Sequence, residues 1–450
     1  LNLKRLARSI AVTFSTLSIR VSFSATCYGV DIMEEAVEIA KLRLFLKMVA
    51  VVEVNPRLDN LGLDPLPDID FNIRCGNTLV GYATEKELDN DLNYGDMFAK
   101  QEFKDKVELE MEVVARAYEQ FKDLQLTSQE EASEFKESKM LLKAKLSGLN
   151  DLLNHKLYSS MVSDASISYE EWLSSHQPFH WLAEYYHIMH SNGGFDVIIG
   201  NPPYVEVNEN LPYSLDKLIT SKCGNLYGNC IERGFTLKTK GYFGFIIPVA
   251  ITCSKRMQKV IDFFNKKSSI TYFANFDDRP GKLFEMIQHL RATIFIAKTT
   301  PRTNSNEKFF STKYNRWYSE CRASLFNNIV YQDVYNIVKE YIVPKISYDV
   351  EASIYDKINK SKGRLGLTFA NSYTPDSAYY RAAGGGYFNL IKIKESETII
   401  NGIKEKVKAE KEYVSKRNIQ MFLLVRLCLL LSSIGCILLR LIAEICRKNS

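Results

Sequence analysis

Residues 195–204 of this 450-residue chain read F-D-V-I-I-G-N-P-P-Y. The apolar run predicts a β-strand, and an amide, two imino acids and an aromatic ring follow at its carboxyl end as Asn201, Pro202, Pro203 and Tyr204. An Asn-Pro turn after a strand is a common structural feature. These letters alone therefore leave two interpretations open, a turn or a binding site.

The chemistry of the four residues suits a planar amine. The Asn201 side-chain oxygen and the Pro202 carbonyl are acceptors, and a proline has no N–H to donate. Pro203 stiffens the turn and directs Tyr204 to where its ring can stack on a base. An exocyclic amino group such as adenine N6 is a poor nucleophile, and two acceptors that hold its N–H bonds favour the reactive tetrahedral geometry. We therefore predict Asn201, Pro202, Pro203 and Tyr204 as catalytic residues.

Strands and helices alternate on both sides of this motif. The run from Tyr28 to Ile32 predicts a strand that ends in an acid, and an amphipathic helix follows from Met33. Residues 71–81 predict a second strand and a glycine-flanked turn. Downstream, the pattern predicts strands at 242–248, 270–276 and 292–297 and helices at 230–237 and 255–266. This alternation is typical of an α/β fold with a mostly parallel sheet.

Asp31 and Asn77, like the N-P-P-Y motif, follow predicted strands, and ligands bind at the carboxyl ends of parallel strands. The Asp31 carboxylate could accept from both ribose hydroxyls of a nucleoside, with Ile32 as an apolar surface for adenine. Alternatively, Asp31 caps the helix, with Glu34 three positions later. Asn77 could accept from an adenine amino group, or it could cap the glycine-flanked turn.

The composition changes from about residue 97 to residue 165. Glu, Lys, Leu and Ala recur there with helical spacing, with almost no Gly or Pro. This pattern predicts a helical hairpin inserted between strands. Its charge runs indicate a solvated face rather than a nucleic-acid groove.

The order of these motifs carries a family resemblance. The matching stretches are G-V-D-I at 29–32, I-R-C-G-N-T-L-V-G at 73–81, the N-P-P-Y strand, a Glu-Arg helix, G-Y-F-G-F-I-I-P at 241–248, and P-F-H-W at 178–181. Together they resemble the large bacterial adenine-specific DNA methyltransferases, above all those of fused restriction-modification and phage-defence systems. The resemblance covers about residues 28–340.

The resemblance implies a Rossmann-like methyltransferase fold, with S-adenosylmethionine as methyl donor and adenine of double-stranded DNA as acceptor. It implies that Asp31 holds the cofactor ribose, that Ile32 and Asn77 hold its adenine, and that residues 201–204 hold the flipped base. One feature departs from the family, because residues 1–27 do not resemble the glycine-rich loop that approaches the methionine moiety. We therefore interpret the chain as an N-terminally truncated fragment or a degenerate copy.

We divide the chain into six predicted regions. They are an atypical N-terminal segment (1–27), the first part of the methyltransferase domain (28–96), the helical insertion (97–165), the methyltransferase domain with the N-P-P-Y motif (166–300), a candidate DNA target-recognition region (301–415) and an apolar C-terminal tail (416–450).

The candidate target-recognition region interleaves basic and aromatic residues. They are Lys308, Lys313, Arg316, Trp317, Tyr318 and Arg322, and later Tyr379, Tyr380 and Arg381. This pattern fits phosphate contact and base stacking, and it fits an ordinary basic surface equally well.

The composition limits the possible partners. The formal net charge of +5 permits a polyanion partner without requiring one. Nine scattered cysteines without C-x-x-C predict neither a disulfide framework nor a zinc cluster, and they indicate a reducing, cytoplasmic compartment. The histidines lack the companions of a metal site, so we expect no metal. Arg426 and Arg440 leave an uncharged run in the tail that is too short for a bilayer, so membrane insertion is not favoured.

Three other functions stay open at this stage. Release-factor glutamine methyltransferases also carry N-P-P-Y, because a glutamine amide is likewise planar. The chain could also be a non-catalytic DNA-binding remnant or a membrane-anchored protein. The long insertion and the large C-terminal region favour DNA, an argument by analogy. We find no nuclease signature, so a restriction or specificity module would lie outside this chain.

Overall fold

The computed structural model describes residues 26–50, 67–92, 97–127, 132–161, 167–237, 241–284, 290–299 and 308–360, and the backbone of short strands between 369 and 415. The chain divides into two compact units, Leu1–Ile346 and Ser347–Ser450. Most of the atypical N-terminal segment and all of the predicted apolar tail lie outside the described residues.

The first unit contains the elements that the alternation predicts. Its strands are β1 (Gly29–Asp31), β2 (Ile73–Cys75), β3 (Val197–Gly200), β4 (Gly241–Pro248), β5 (Ser268–Phe276), β6 (Ala292–Thr299), β7 (Lys308–Ser311) and β8 (Gln332–Asp333). Its helices are α1 (Glu34–Val49), α2 (Glu85–Asp91), α3 (Met97–Thr127), α4 (Ala132–Met161), α5 (Tyr169–His176), α6 (Trp181–Glu184), α7 (Leu226–Thr236) and α8 (Gln258–Lys267).

β1 and β2 form a parallel pair connected through α1. Gly29 pairs with Ile73 and Asp31 with Cys75. The connection is long enough for the crossover that parallel strands need. The Tyr185 hydroxyl lies 3.2 Å from the Gly29 carbonyl oxygen and so fixes the amino end of the pair. Asp31 and the turn after β2 therefore share one edge, as the sequence predicts.

The second sheet has, within the described residues, six strands in the order β3-β4-β6-β5-β7-β8. β3 and β4 are parallel, as are β5 and β7, but β6 is antiparallel to both β4 and β5. β8 is also antiparallel to β7. The expectation of a mostly parallel sheet is therefore only partly right. The β5–β6 connection has no predicted helix, and a strand that returns without a crossover pairs antiparallel.

The predicted helical hairpin is present as α3 and α4, which pack against each other. Their facing apolar side chains form one core with the turn after β2, and this core includes Val107, Met111, Leu149 and Leu153. Charged residues such as Arg116 lie on the exposed side, where Arg116 pairs with Glu112 one helical turn away. The charge runs therefore form a solvated face along these helices.

An aromatic core joins the two sheets. Phe179, Trp181 and Tyr185 are buried in it, and Val30 of β1 and Ile198 of β3 pack against it. The alternate side chains of β3 point away from this core, so that Val197 is 58% exposed and Ile199 is 82% exposed.

The second unit contains one described helix, α9 (Asp349–Lys360), and short strands. The strands are β9 (Phe369–Ala370), β10 (Ala378–Arg381), β11 (Ile391–Lys392), β12 (Glu397–Ile400), β13 (Ile403–Lys406) and β14 (Glu410–Ser415). β12 and β13 form a hairpin, and the others form a sheet in the order β11-β10-β14-β9. None of the helices in the described part of the chain is long and apolar enough to cross a membrane.

Candidate active site

The N-P-P-Y residues lie directly after β3. Pro202 is buried, Tyr204 is partly buried, and Asn201 and Pro203 are exposed. The Tyr204 hydroxyl lies 2.7 Å from the Asn201 side-chain oxygen and 2.8 Å from the carbonyl oxygen of Ile246 in β4. Burial raises the pKa of Tyr204 to about 12, so the phenol keeps its proton at neutral pH. Tyr204 therefore connects the motif to the neighbouring strand and leaves the Asn201 amide at the surface.

The Glu-Arg pair of α7 supports the loop that follows the motif. The Glu232 carboxylate accepts from the backbone N–H groups of Ile219 and Thr220, at 3.0 and 2.8 Å. Arg233 is buried and donates to both Glu87 oxygens, at 2.7 and 2.9 Å. A buried charge needs such a partner, because an unpaired charge in the interior is costly. α7 therefore fixes both this loop and the start of α2.

A cavity of about 610 Å³ opens beside the carboxyl ends of β1 and β2. Ile32 and Met33 give it apolar surface, and Glu34 and Glu35 give it acidic groups. Its volume lies within the range of roughly 300 to 1,000 Å³ that small-molecule sites occupy. Ile32 therefore lines a cavity of suitable size, and its contact with a cofactor stays a prediction.

Asp31 and Asn77, the other predicted cofactor residues, both take part in turns. Asp31 is exposed, and one of its carboxylate oxygens accepts from the Met33 backbone N–H at 2.9 Å. Asn77 is 3% exposed, and its side-chain oxygen accepts from the Leu79 backbone N–H at 3.1 Å. Neither Asp31 nor Asn77 is among the residues that line the cavity. The turn interpretation of Asn77 is therefore present. The alternative that Asp31 caps the helix is wrong, because α1 has Met33 as its N-cap and no side-chain capping bond, and Asp31 instead closes a turn with Met33. The cofactor contacts of both residues stay predictions.

The P-F-H-W segment, to which the sequence assigns no role, forms a wall of this region. Pro178 lines the cavity, and the Phe179 N–H donates to the Val80 carbonyl at 2.8 Å. The two glycines of the turn make room for Phe179. A Cβ at Gly76 would lie 2.8 Å from the Phe179 ring, and a Cβ at Gly81 would lie 2.2 Å from its carbonyl oxygen. The pair of glycines was the sequence signal for this close approach.

His180 connects this wall to the helical insertion. Its Nδ1 accepts from the Tyr82 backbone N–H at 3.0 Å, so the proton is on Nε2, which donates to Asn154 Oδ1 at 2.9 Å. Asn154 also lines the cavity. Burial lowers the pKa of His180 to about 3, so the ring is neutral at pH 7. The insertion therefore contributes directly to one side of the cavity.

The candidate DNA-contacting residues between 308 and 322 do not form a single surface, and the side chains of Tyr379, Tyr380 and Arg381 lie outside the described residues. Trp317 is 7% exposed, so the expectation that it stacks on a base is wrong. Arg322 instead covers the Trp317 ring at 5.6 Å. Lys308 begins β7, whereas Lys313 and Arg316 follow its carboxyl end, so they lie at opposite edges of the sheet. In the part of the chain that the structure describes, His, Cys, Asp and Glu side chains form no group of three that could hold a metal ion.

Comparison with known proteins places this arrangement in a family. The sequence pattern of the Eco57I restriction-modification methylases matches residues 25–281, which is more than half of the chain. The chain belongs to the Eco57I restriction-modification methylase family. The matched span contains β1, the cavity, the helical insertion and the N-P-P-Y residues, and it ends in the loop after β5.

This Eco57I-family chain is similar to a protein of Methanocaldococcus jannaschii. That protein is named as a type II restriction enzyme and methyltransferase, RM.MjaORFECS2P. The two are 30% identical over 257 residues, which covers 49% of this chain and 22% of the relative. The chain therefore spans less than a quarter of that protein's length.

Solved structures resemble the Eco57I-family chain only weakly. The ATP-dependent Type ISP restriction-modification enzyme LlaBIII bound to DNA covers 84% of this chain and 21% of its own, at 12% identity and a TM-score of 0.40. A class I S-adenosylmethionine-dependent methyltransferase from Listeria monocytogenes covers 37% of this chain and 42% of its own, at 18% identity and a TM-score of 0.22. At these scores neither likeness carries an argument about the site.

Proposed function

We propose that this chain carries the methyl-transfer site of an adenine-N6 DNA methyltransferase that belongs to a restriction-modification or phage-defence system. The observation that carries the proposal is the exposed Asn201 amide at the tip of β3, held in place through Tyr204. Membership in the Eco57I family supports a methyltransferase of such a system. The assignment of adenine N6 rests on the chemistry of the N-P-P-Y residues.

The two neighbours of the Tyr204 hydroxyl define the orientation of the Asn201 amide. A phenol has one hydrogen and the Ile246 carbonyl can only accept, so the hydroxyl donates to Ile246. The structure has the Asn201 oxygen 2.7 Å from this hydroxyl. A half-turn of the amide exchanges its oxygen and nitrogen, and we assign the nitrogen to this position because it can donate to the Tyr204 oxygen. The Asn201 oxygen then points away from Tyr204, where it can accept from an adenine amino group.

The acceptor oxygens act on the charge that develops at N6. As the amine reacts it gains positive charge, so contacts from the Asn201 oxygen and the Pro202 carbonyl strengthen in the transition state. These contacts lower the barrier more than they stabilise the bound base. Tyr204 contributes by holding Asn201, and its ring lies beside the position that we assign to the base.

The described residues fit the adenosine half of S-adenosylmethionine. The cavity offers Ile32 and Met33 as apolar surface for the adenine, and the exposed Asp31 carboxylate at the end of β1 suits ribose hydroxyls. When bound, the cofactor supplies the methyl group from a positively charged sulfur. A glycine-rich loop for the methionine half does not occur in residues 26–50 or 67–92, so we assign no residue to that half.

A product assay tests the proposal. The full chain is incubated with isotope-labelled S-adenosylmethionine and mixed-sequence duplex DNA, and the digested nucleosides are identified by mass spectrometry. We expect the label in N6-methyldeoxyadenosine. Asn201→Ala should abolish the product and leave DNA affinity within about twofold, because the contact matters most in the transition state. Asn210→Ala, an exposed asparagine in the following loop, is the matched control and should keep the full rate.

Three results would contradict the proposal. Full activity of Asn201→Ala would remove the assigned role of the amide. Label on a glutamine side chain of an added protein substrate, with none on DNA, would favour the glutamine methyltransferase alternative. DNA binding without heat of S-adenosylmethionine binding in calorimetry would favour a non-catalytic remnant.

A further inference from the structure

A buried carboxylate holds two arginines at the same sheet edge as the N-P-P-Y residues. Asp277 follows β5, and its side chain is 1% exposed. Arg291 Nε donates to one of its oxygens at 2.7 Å, and Arg316 Nε donates to the other at 2.8 Å. The two arginine side chains are 34% and 45% exposed. We call Asp277, Arg279, Arg291 and Arg316 the Asp277 cluster.

The surface of this edge is basic although the cluster contains acids. Asp277 and Asp278 are both buried, at 2% and 8% exposed. The basic residues of the same loops, by contrast, lie at or near the surface; they are Arg279, Lys282, Arg291, Lys313 and Arg316. The acids therefore fix the arginines from below, and the positive charge faces outward.

A polar network makes the position of Arg316 rigid. Asn275 is fully buried, and its amide donates to the Thr312 carbonyl at 2.8 Å and accepts from the Thr293 hydroxyl at 2.8 Å. The Asn315 N–H donates to the Asn275 carbonyl at 2.8 Å. Arg316 is thus attached to three strands, so little side-chain entropy remains to be lost when it binds a ligand.

The cluster and the N-P-P-Y residues lie along one row of strand ends. Tyr204 contacts Ile246 of β4, Pro248 of β4 pairs with Ala292 of β6, and the Val249 N–H donates to the Arg291 carbonyl at 2.9 Å. Arg291 precedes β6, two strand spacings from β3, and Arg316 follows β7, four spacings from β3, or roughly 10 to 19 Å at about 4.8 Å each. Along a DNA duplex this length corresponds to about three to six base pairs, at roughly 3.4 Å each.

We infer that Arg291 and Arg316 of the Asp277 cluster contact backbone phosphates of duplex DNA, about three to six base pairs from the base held at Asn201. The inference rests on the proposed function for its choice of DNA. It assigns the phosphate contacts to the edge of the methyl-transfer sheet itself. The contacts are with the backbone, so they position the duplex without reading its sequence.

Salt-dependent binding tests the inference. Affinity of the full chain for a mixed-sequence 30-base-pair duplex is measured by fluorescence anisotropy over a range of KCl concentrations. For Arg316→Gln and for Arg291→Gln we expect the slope of log affinity against log salt to fall by about one each, because each loses one phosphate contact. Lys298→Gln removes an exposed charge from the opposite edge of the same sheet and should keep the wild-type slope.

Folding and function are separated by further variants. Removal of an Asp277 partner can unfold the edge, so each variant is melted in parallel. Arg279 is an exposed arginine of the cluster, and in the described part of the chain it makes no hydrogen bond to Asp277. Arg279→Gln should therefore lower the slope as well. The inference is overturned if the folded arginine variants have the same slope as Lys298→Gln. It is also overturned if the wild-type chain does not bind the duplex. Asn201→Ala should lose methyl transfer and keep the slope, so a failure of the proposed chemistry is recognised separately.

Discussion

The Tyr204 hydroxyl lies 2.7 Å from the Asn201 side chain, within a motif that also touches the backbone of the adjacent strand. The aromatic residue of the motif therefore has a role in addition to the expected stacking on a base. In the site that we propose, it sets which atom of the Asn201 amide faces the substrate, and this role can be measured separately from that of the ring.

Tyr204→Phe removes the hydroxyl and keeps the ring. Without the hydroxyl the Asn201 amide loses one hydrogen bond of about 0.5 to 1.5 kcal/mol, so we expect kcat to fall roughly two- to tenfold. DNA affinity should stay unchanged, because the ring can still stack. Single-turnover methyl transfer measures the effect, and Tyr242→Phe on an exposed tyrosine at the opposite edge of the sheet is the control. A Tyr204→Phe variant with wild-type kcat would show that the hydroxyl does not orient Asn201.

Asp31→Ala tests the proposed cofactor contact beside the cavity. A hydrogen bond to a charged group contributes about 1.5 to 3 kcal/mol, so loss of the carboxylate should weaken cofactor binding about tenfold or more. Calorimetry with S-adenosylhomocysteine measures the affinity without any reaction. Glu38→Ala, an exposed acid on the same segment, should bind as the wild type does. If Asp31→Ala and Glu38→Ala bind S-adenosylhomocysteine equally well, Asp31 does not contact the cofactor, and its only role is the hydrogen bond from the Met33 N–H.

Gly81→Ala and Gly148→Ala should change stability in opposite directions. Gly81 has a φ of +127°, and a Cβ there would meet the Phe179 carbonyl oxygen at 2.2 Å. We expect a loss of more than 1 kcal/mol of unfolding free energy, since both the backbone and the wall of the cavity must shift. Gly148 lies in α4 with nothing within 4 Å of a Cβ. Its replacement should stabilise by about 0.5 to 1 kcal/mol in urea unfolding. A neutral Gly81→Ala would contradict the close packing.

The stability should fall between pH 7.5 and pH 5.5. Burial lowers the pKa of His180 to about 3, and the unfolded value is about 6.5. In this interval the unfolded chain takes up a proton that the folded chain does not. The stability that the neutral, buried His180 contributes is therefore present above about pH 6.5. It is lost as the pH falls, and the loss reaches about 1.4 kcal/mol of unfolding free energy at pH 5.5. His187, whose pKa is lowered to about 4, acts in the same direction with a smaller effect because it is partly exposed.

Urea unfolding of histidine variants at the two pH values checks this dependence. His180→Gln should be less stable than the wild type at both pH values, yet its pH-dependent loss should be smaller by about 1.4 kcal/mol. His155→Gln removes an exposed histidine and should keep the wild-type dependence. An unchanged loss in His180→Gln would mean that other groups control the acid sensitivity.

Local patterns predicted the elements well because they depend on nearby residues. The alternation located β1, α1 and the two helices of the insertion, and the N-P-P-Y residues follow β3 as expected. The antiparallel insertion of β6 between β4 and β5 was not predicted, because strand order depends on contacts between distant segments.

Burial was the other property that local patterns did not reveal. Trp317 was expected at the surface but packs beside Phe276, and Arg322 lies over its ring. The role of Phe179 depends on two glycines almost a hundred positions earlier. The ion pairs of Asp277 likewise form only when Arg291 and Arg316 are brought to it by two other strands.

The outward side of β3 has a practical consequence. Val197 and Ile199 are 58% and 82% exposed, and among the described strands β3 hydrogen-bonds to β4 alone. An open apolar edge of this kind is a template for pairing with strands of other molecules, a known route to aggregation. We therefore expect this polypeptide, produced by itself, to precipitate as its concentration rises, and Ile199→Lys to keep it dispersed.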